Sequence, residues 1–191
     1  RFARADTTIA EQAVAEASFA ADLGYHCGLV NLGPLGGASI PELIEHIRAV
    51  AEVLPVFGFY LQPAVGGRVF SYDFWREFAD IENVHAIKMA PFNRYQTLDV
   101  VRAVCHSSRA DQIALYTGND DNIVIDLLTT FSFNVNGSII EKQIAGGLLG
   151  QWSIWTKIAA ELFGRIKEAR KTASIPSELL LLNQQVTDAN A

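Results

Sequence analysis

Apolar and polar positions along the chain alternate between a helical period and short apolar runs. From Thr8 to Leu23 the residues Ile9, Val14, Ala17, Phe19, Ala20 and Leu23 fall at helical spacing, and Gly24 stands where a helix commonly ends. The run Cys27 to Leu32 predicts a strand, followed by a loop through Gly33, Pro34, Gly36 and Gly37. Ser39 and Glu42 then fit a capping box, in which each side chain satisfies a backbone N–H at the start of a helix running to about Val53. The cycle repeats. Strand Val56 to Tyr60 leads into loop Leu61 to Arg68 and a helix capped by Ser71 that runs to about Asp80. Strand Val84 to Met89 leads into loop Ala90 to Gln96 and a helix capped by Thr97 that runs to about Cys105. Strand Gln112 to Tyr116 leads into the turn Thr117-Gly118-Asn119-Asp120 and a helix to about Thr129. A fifth strand is predicted near Gly137 to Ile140. Beyond it, a long helix from about Leu149 to Ala173 carries Trp152, Trp155, Ile158, Leu162, Phe163 and Ile166 on one buried stripe.

Short strands, apolar on both faces and alternating with helices, indicate a parallel sheet covered by helices, the α/β class. Two architectures meet that description: an open doubly wound sheet and a barrel. The open sheet normally carries a glycine-rich nucleotide turn after an early strand, and neither G-x-G-x-x-G nor G-x-x-x-x-G-K-[ST] occurs. Their absence weakens the open sheet without excluding it; if the barrel holds, it is a (β/α)8 fold of which roughly strands 4 to 8 and their helices are present. Five strands cannot close such a barrel, so further sequence is expected at both ends. Residues 1–148 are read as the barrel portion and 149–191 as a helical extension packing on it.

Composition narrows the function. The 191 residues are 50% hydrophobic, enough to bury a sizeable core, and the net charge of −6 offers no broad attraction to nucleic acid or an anionic membrane. No apolar run approaches the roughly 18 residues that span a bilayer. Cys27 and Cys105 are the only cysteines, which argues against a disulfide framework or zinc cluster and for a reducing cytoplasm. His26, His46, His85 and His106 lack ligand spacing, and Asp120 and Asp121 suit the start of a helix. No metal or cofactor is expected.

Lys88 is the informative anomaly, because it stands in the strand-like run Val84-His85-Ala86-Ile87-Lys88-Met89. An ammonium placed among buried side chains loses hydration, so its pKa falls toward the range in which a free amine attacks a carbonyl. The alternative is a strand-end lysine whose stem lies on the core while its head reaches water. Tyr60 closes the preceding strand, and in a barrel the strand ends share one mouth. A phenol beside the amine would relay protons during imine formation; a strand-end tyrosine is also an ordinary amphipathic rim residue.

These residues carry a resemblance to the dihydrodipicolinate synthase and N-acetylneuraminate lyase family of class I aldolases. Tyr60-Leu61-Gln62-Pro63 resembles that family's Tyr-Asn-x-Pro element. Ala86-Ile87-Lys88, with Lys88 28 residues after Tyr60, is similar to its Gly-Ile-Lys element. Thr117-Gly118-Asn119-Asp120 is similar to the Ser-Gly-Asp-Asp turn, Gly137-Ser138-Ile139 to the Gly-Val-Ile of the last strand, and Pro34 to the proline of Thr-Pro-Tyr-Tyr. The resemblance implies Lys88 as the Schiff-base lysine, Tyr60 as its proton relay, Gly118 and Ile139 as pocket residues, a 2-oxo acid such as pyruvate as substrate, and a homo-oligomer. Leu35 and Gly36 replace the paired tyrosines, and Val65 stands near the place of the synthases' carboxylate-binding arginine, with Arg68 three residues away. These departures turn the expectation from synthase activity toward a related lyase or aldolase. Two alternatives stay open: a phosphate-binding barrel using the loops after the last two strands, and a barrel of this family that binds ligands without turnover.

Overall fold

Five strands lie side by side in the order in which the chain makes them. The computed structural model describes residues 2–172 and 174–190. Helix α1 (Phe2–Asp22) precedes β1 (Gly28–Asn31), α2 (Ile40–Ala51), β2 (Val56–Leu61), α3 (Tyr72–Ala79), β3 (Val84–Ala90), α4 (Arg94–His106), β4 (Ala114–Thr117) and α5 (Ile123–Leu128). A hairpin of β5 (Thr130–Val135) and β6 (Ser138–Gln143) intervenes before β7 (Gly146–Gly147), and α6 (Gly150–Ile154), α7 (Thr156–Ala169) and α8 (Ser177–Asp188) follow. The sheet order is β1-β2-β3-β4-β7, every pairing parallel and without reversal. A reversal at the centre would have marked an open doubly wound sheet; this order is that of consecutive barrel strands. Among the described residues no helix is long and apolar enough to cross a membrane.

Local chemistry sets the element ends. The Ser39 backbone N–H donates to Glu42 Oε2 at 2.7 Å, completing the expected capping box of α2. Ser71 Oγ accepts from Phe74 N at 3.3 Å and caps α3. Helix α4 is capped by Asn93 and not by Thr97: Asn93 Oδ1 accepts from Tyr95 N at 2.9 Å and Gln96 N at 3.3 Å. Thr97 sits inside the first turn, its hydroxyl bonded to the Asn93 carbonyl.

Two further sequence expectations are corrected. Gly137 to Ile140 does not supply the fifth parallel strand but the turn and second arm of the antiparallel β5–β6 hairpin. Asn136 and Gly137 both have positive φ, 52° and 88°, as a tight Asn-Gly turn between twisted strands requires. That dipeptide between two alternating runs is a hairpin signal. The fifth parallel strand is Gly146–Gly147, where a Cβ at Gly146 would lie 3.1 Å from the Tyr116 ring and one at Gly147 2.9 Å from Trp152. The long C-terminal helix is also broken. Trp155 leaves helical geometry (φ −106°, ψ 39°), separating α6 from α7, and Trp155 and Ile158 are exposed while Leu162 and Ile166 are buried. The C-terminal segment is anchored on α5: Ile125 N donates to Asn183 Oδ1 at 3.3 Å, and Arg170 donates to the carbonyls of Leu127 and Ile144.

Period-two alternation divides the sheet into two faces. On β2, Val56, Gly58 and Tyr60 are buried against the helices, while Phe57, Phe59 and Leu61 are half-buried on the other, inner face. The helix side holds an aromatic cluster of Tyr60, Phe70, Phe74, Trp75 and Phe78, with Trp75 5.0 Å from the Tyr60 ring. Gly58 makes room for it, since a Cβ there would lie 2.4 Å from Phe78 Cζ.

A buried polar network ties the loops at the carboxyl ends of β3 and β4. Asp126 is fully buried and accepts from Thr117 Oγ1 at 2.6 Å and from Asn119 Nδ2 at 3.0 Å, while Arg94 pairs with its other oxygen at 2.5 Å. Asn119 also donates to Thr97 Oγ1 at 3.1 Å and accepts from Phe92 N at 3.1 Å. Phe92 has φ 52°, costly for an aromatic residue, and this hydrogen bond helps to hold it.

Two stability changes follow. Asp126→Asn, which leaves Arg94 unpaired and weakens the bonds from Thr117 and Asn119, is expected to lower the unfolding free energy by about 3 kcal/mol. Gly58→Ala, forcing a methyl into Phe78, is expected to cost about 2 kcal/mol. Denaturant melts of both variants read the losses; a Gly58→Ala protein as stable as the parent would refute the packing described for β2.

Candidate active site around Lys88

The register of the central strands places the site. Phe59 on β2, Lys88 on β3 and Tyr116 on β4 are paired in one row, and paired residues in a parallel sheet point the same way. Lys88 therefore lies on the inner face, one turn of the pleat below the carboxyl end of its strand. Its Nζ is 4.4 Å from the centre of the Phe59 ring, a cation–π contact. It is the only lysine or arginine in the parallel strands.

Burial pushes the Lys88 ammonium below the ordinary lysine pKa, and the Asp120 carboxylate pulls it partly back. Asp120 is pushed up by its own burial, lowered by Lys88 and raised by Asp121. Its Oδ1 is buried and bonds to no protein donor. Gly118 belongs to the same small space. A Cβ there would lie 2.8 Å from Lys88 Cε and 3.0 Å from the Ala90 methyl, so only glycine lets the lysine stem pass. The Gly118 N–H donates to the Met89 carbonyl at 2.7 Å, locking the turn after β4 to the strand that carries Lys88.

The structure brings Lys88 and Gly118 together and keeps Tyr60 and Ile139 apart from them. Tyr60 pairs with Met89 and not with Lys88, so it faces the helices. It is 0% exposed, it packs on Trp75, and its hydroxyl accepts from Phe70 N at 3.3 Å. Burial raises its phenol pKa, and the Phe70 hydrogen bond offsets part of that. The expected proton relay from Tyr60 to Lys88 is thus corrected: two residues at the ends of adjacent strands share a mouth only if they share a face, and a one-residue offset reverses the face. Ile139, expected in the pocket, sits on the hairpin and is 62% exposed. The stretch after Gly147 takes that place, with the Leu148 carbonyl 3.4 Å from the Cβ position of Gly118.

Three aromatic residues complete the inner face around Lys88. Phe59 and Tyr116 flank Lys88 in the register, and Phe57 meets the Tyr116 ring at 5.2 Å. For Phe57 and Phe59 the signal is the alternation Phe57-Gly58-Phe59, which marks a second apolar face of β2. Arg68 does not reach toward Lys88: it donates to the Ala38 carbonyl at 2.5 Å and lies over the Phe70 ring. Leu35 is buried in the loop after β1, whereas Gly36 and Val65 are exposed.

No family model matches the sequence, and no curated protein matches it. Solved structures do. The dihydrodipicolinate synthase of Bacteroides thetaiotaomicron superposes with a TM-score of 0.66 at 19% identity, over 90% of this chain and 51% of its own. That of Oceanobacillus iheyensis gives 0.65 at 15% identity, over 92% and 51%. A variant of the Sulfolobus solfataricus 2-keto-3-deoxygluconate aldolase gives 0.52 at 18% identity, over 94% and 59%. The chain spans about half the length of the synthases it matches. Its fold is that of the dihydrodipicolinate synthases and 2-keto-3-deoxygluconate aldolases, of whose (β/α)8 barrel it forms five consecutive parallel strands.

Proposed function

We propose that this chain carries the catalytic lysine of a Schiff-base-forming lyase or aldolase of the dihydrodipicolinate synthase family, acting on pyruvate or another 2-oxo acid. The observation that supports this most is Lys88 itself: a half-buried amine, the only cation of the parallel strands, with a lowered pKa on the inner face of a fold shared with such enzymes. The free amine adds to the C2 carbonyl, water leaves, and the protonated imine withdraws electrons from the bond that is made or broken. No added cofactor is needed, because the lysine supplies the electron sink. Asp120 is the ionisable side chain coupled to Lys88 and takes the proton-transfer role that Tyr60 cannot fill. The same reading includes a homo-oligomer at work in the cytoplasm.

Borohydride reduction with pyruvate or other 2-oxo acids is expected to fix a mass adduct on Lys88, and Lys88→Ala to abolish adduct and turnover. An adduct that persists in Lys88→Ala would refute the assignment. Tyr60→Phe is expected to trap at nearly the parent rate while losing about 1 kcal/mol of stability with its hydrogen bond to Phe70.

The pH dependence separates the roles further. Trapping requires the unprotonated amine, so its rate rises with pH through the Lys88 pKa, below the usual lysine value. The Asp120 carboxylate stabilises the ammonium and holds that pKa up. Asp120→Asn is therefore expected to move the midpoint of the trapping profile to lower pH and to slow overall turnover by about 10²-fold or more. An unmoved midpoint would show that Asp120 does not act on Lys88.

A further inference from the structure

The surroundings of Lys88 bear on what the second reactant looks like, provided that the Schiff-base reading holds. On the inner face the amine lies against Phe59, with Phe57 and Tyr116 forming an aromatic pair in the same wall. Ala86 and Ala114 are the paired residues one pleat below Lys88, and Ala90 is the next inner position above it, so the side chains around the rings are small and apolar. The loop at the carboxyl end of β2 adds to this character. Val65 and Val69 on it are 61% and 54% exposed. Its one cation, Arg68, is occupied by the Ala38 carbonyl and the Phe70 ring. The charge coupled to Lys88 is that of Asp120, which is negative and repels a second carboxylate.

We propose that the aldehyde made or consumed at this site is apolar and aromatic and bears no carboxylate. A carboxylate entering this wall meets aromatic rings and an acidic neighbour, and among the described residues of the wall the one further cation, Arg68, is already engaged. A phenyl group finds rings to pack against in the offset or tilted arrangements aromatic pairs prefer. In the cleavage direction, Lys88 forms the imine with C2 of a 4-hydroxy-2-oxo acid and releases water. Asp120 accepts the C4 hydroxyl proton, and the C3–C4 bond breaks with its electron pair entering the imine. The aldehyde departs, the resulting enamine takes a proton at C3, and hydrolysis returns pyruvate and the free amine. Nothing is oxidised or reduced. The C1 carboxylate is common to all such substrates, so the preference is read from the group carried on C4.

The test compares three compounds on the full-length protein: 4-hydroxy-2-oxo-4-phenylbutanoate, 4-hydroxy-2-oxoglutarate and 2-keto-3-deoxygluconate. Each is assayed for cleavage and, separately, for a borohydride-fixed adduct on Lys88. The expected result is a kcat/KM about 10²-fold higher for the phenyl compound than for either of the others, in line with what burial of a large apolar group contributes to discrimination. Val65→Arg, an exposed change that puts a free cation on the rim, is expected to narrow the gap to the dicarboxylate by about 10-fold. Adducts from all three compounds with equal cleavage, or with a preference for the carboxylated or polyhydroxylated one, would overturn the apolar assignment and leave the Schiff base standing. Absence of any adduct would remove the Schiff base itself, and this proposal with it.

Discussion

The site depends on strand register. In a parallel sheet a residue's face is fixed by its partner, and the pairing of Phe59 with Lys88 and of Lys88 with Tyr116 sets one row of side chains on the inner face. Everything chemical about Lys88 follows from that row. Its amine is desolvated because it lies beside rings and below a glycine turn, and its charge is opposed or supported by whatever the neighbouring loops present. Slipping β3 by one residue would put Ile87 inside and send the amine into the helix layer, where nothing would pair it.

Register alone does not hold the mouth. The loops at the carboxyl ends of β3 and β4 are joined by Asp126, a carboxylate buried to no exposure and neutralised by Arg94. Its bonds to Thr117 and Asn119 fix the turn containing Gly118, and that turn is bonded in turn to the Met89 carbonyl next to Lys88. The network costs desolvation that an apolar cluster would not, and in exchange it specifies one arrangement of two loops. Catalytic groups need that kind of support, since a displacement of about 1 Å at a reacting centre is expensive in rate.

Much of this was legible in the sequence, and the failures have definite physical causes. The alternation of strands and helices, the capping box of Ser39 and Glu42, the Ser71 cap and the anomaly at Lys88 are local signals, and local chemistry decides them. Tyr60 was misplaced because sequence order tells which strand ends are neighbours but not which face a residue takes; the Phe57-Gly58-Phe59 alternation held that information. Ile139 was misplaced because Gly137-Ser138-Ile139 matched a strand motif while Asn136-Gly137 made a hairpin turn, and a two-residue strand of glycines has no apolar pattern to reveal it. The Asp126 network joins residues up to 32 positions apart, from Arg94 to Asp126, and no periodicity announces it.

The most direct measurement is a crystal structure of the full-length protein reduced with borohydride in the presence of pyruvate. The account predicts continuous density from Lys88 Nζ to C2 of the ligand on the inner face, with the Phe59 ring against it and Tyr60 still bonded to Phe70 behind the strand. A ligand bound elsewhere beside an unmodified Lys88, or a Tyr60 turned inward to meet the ligand, would contradict it.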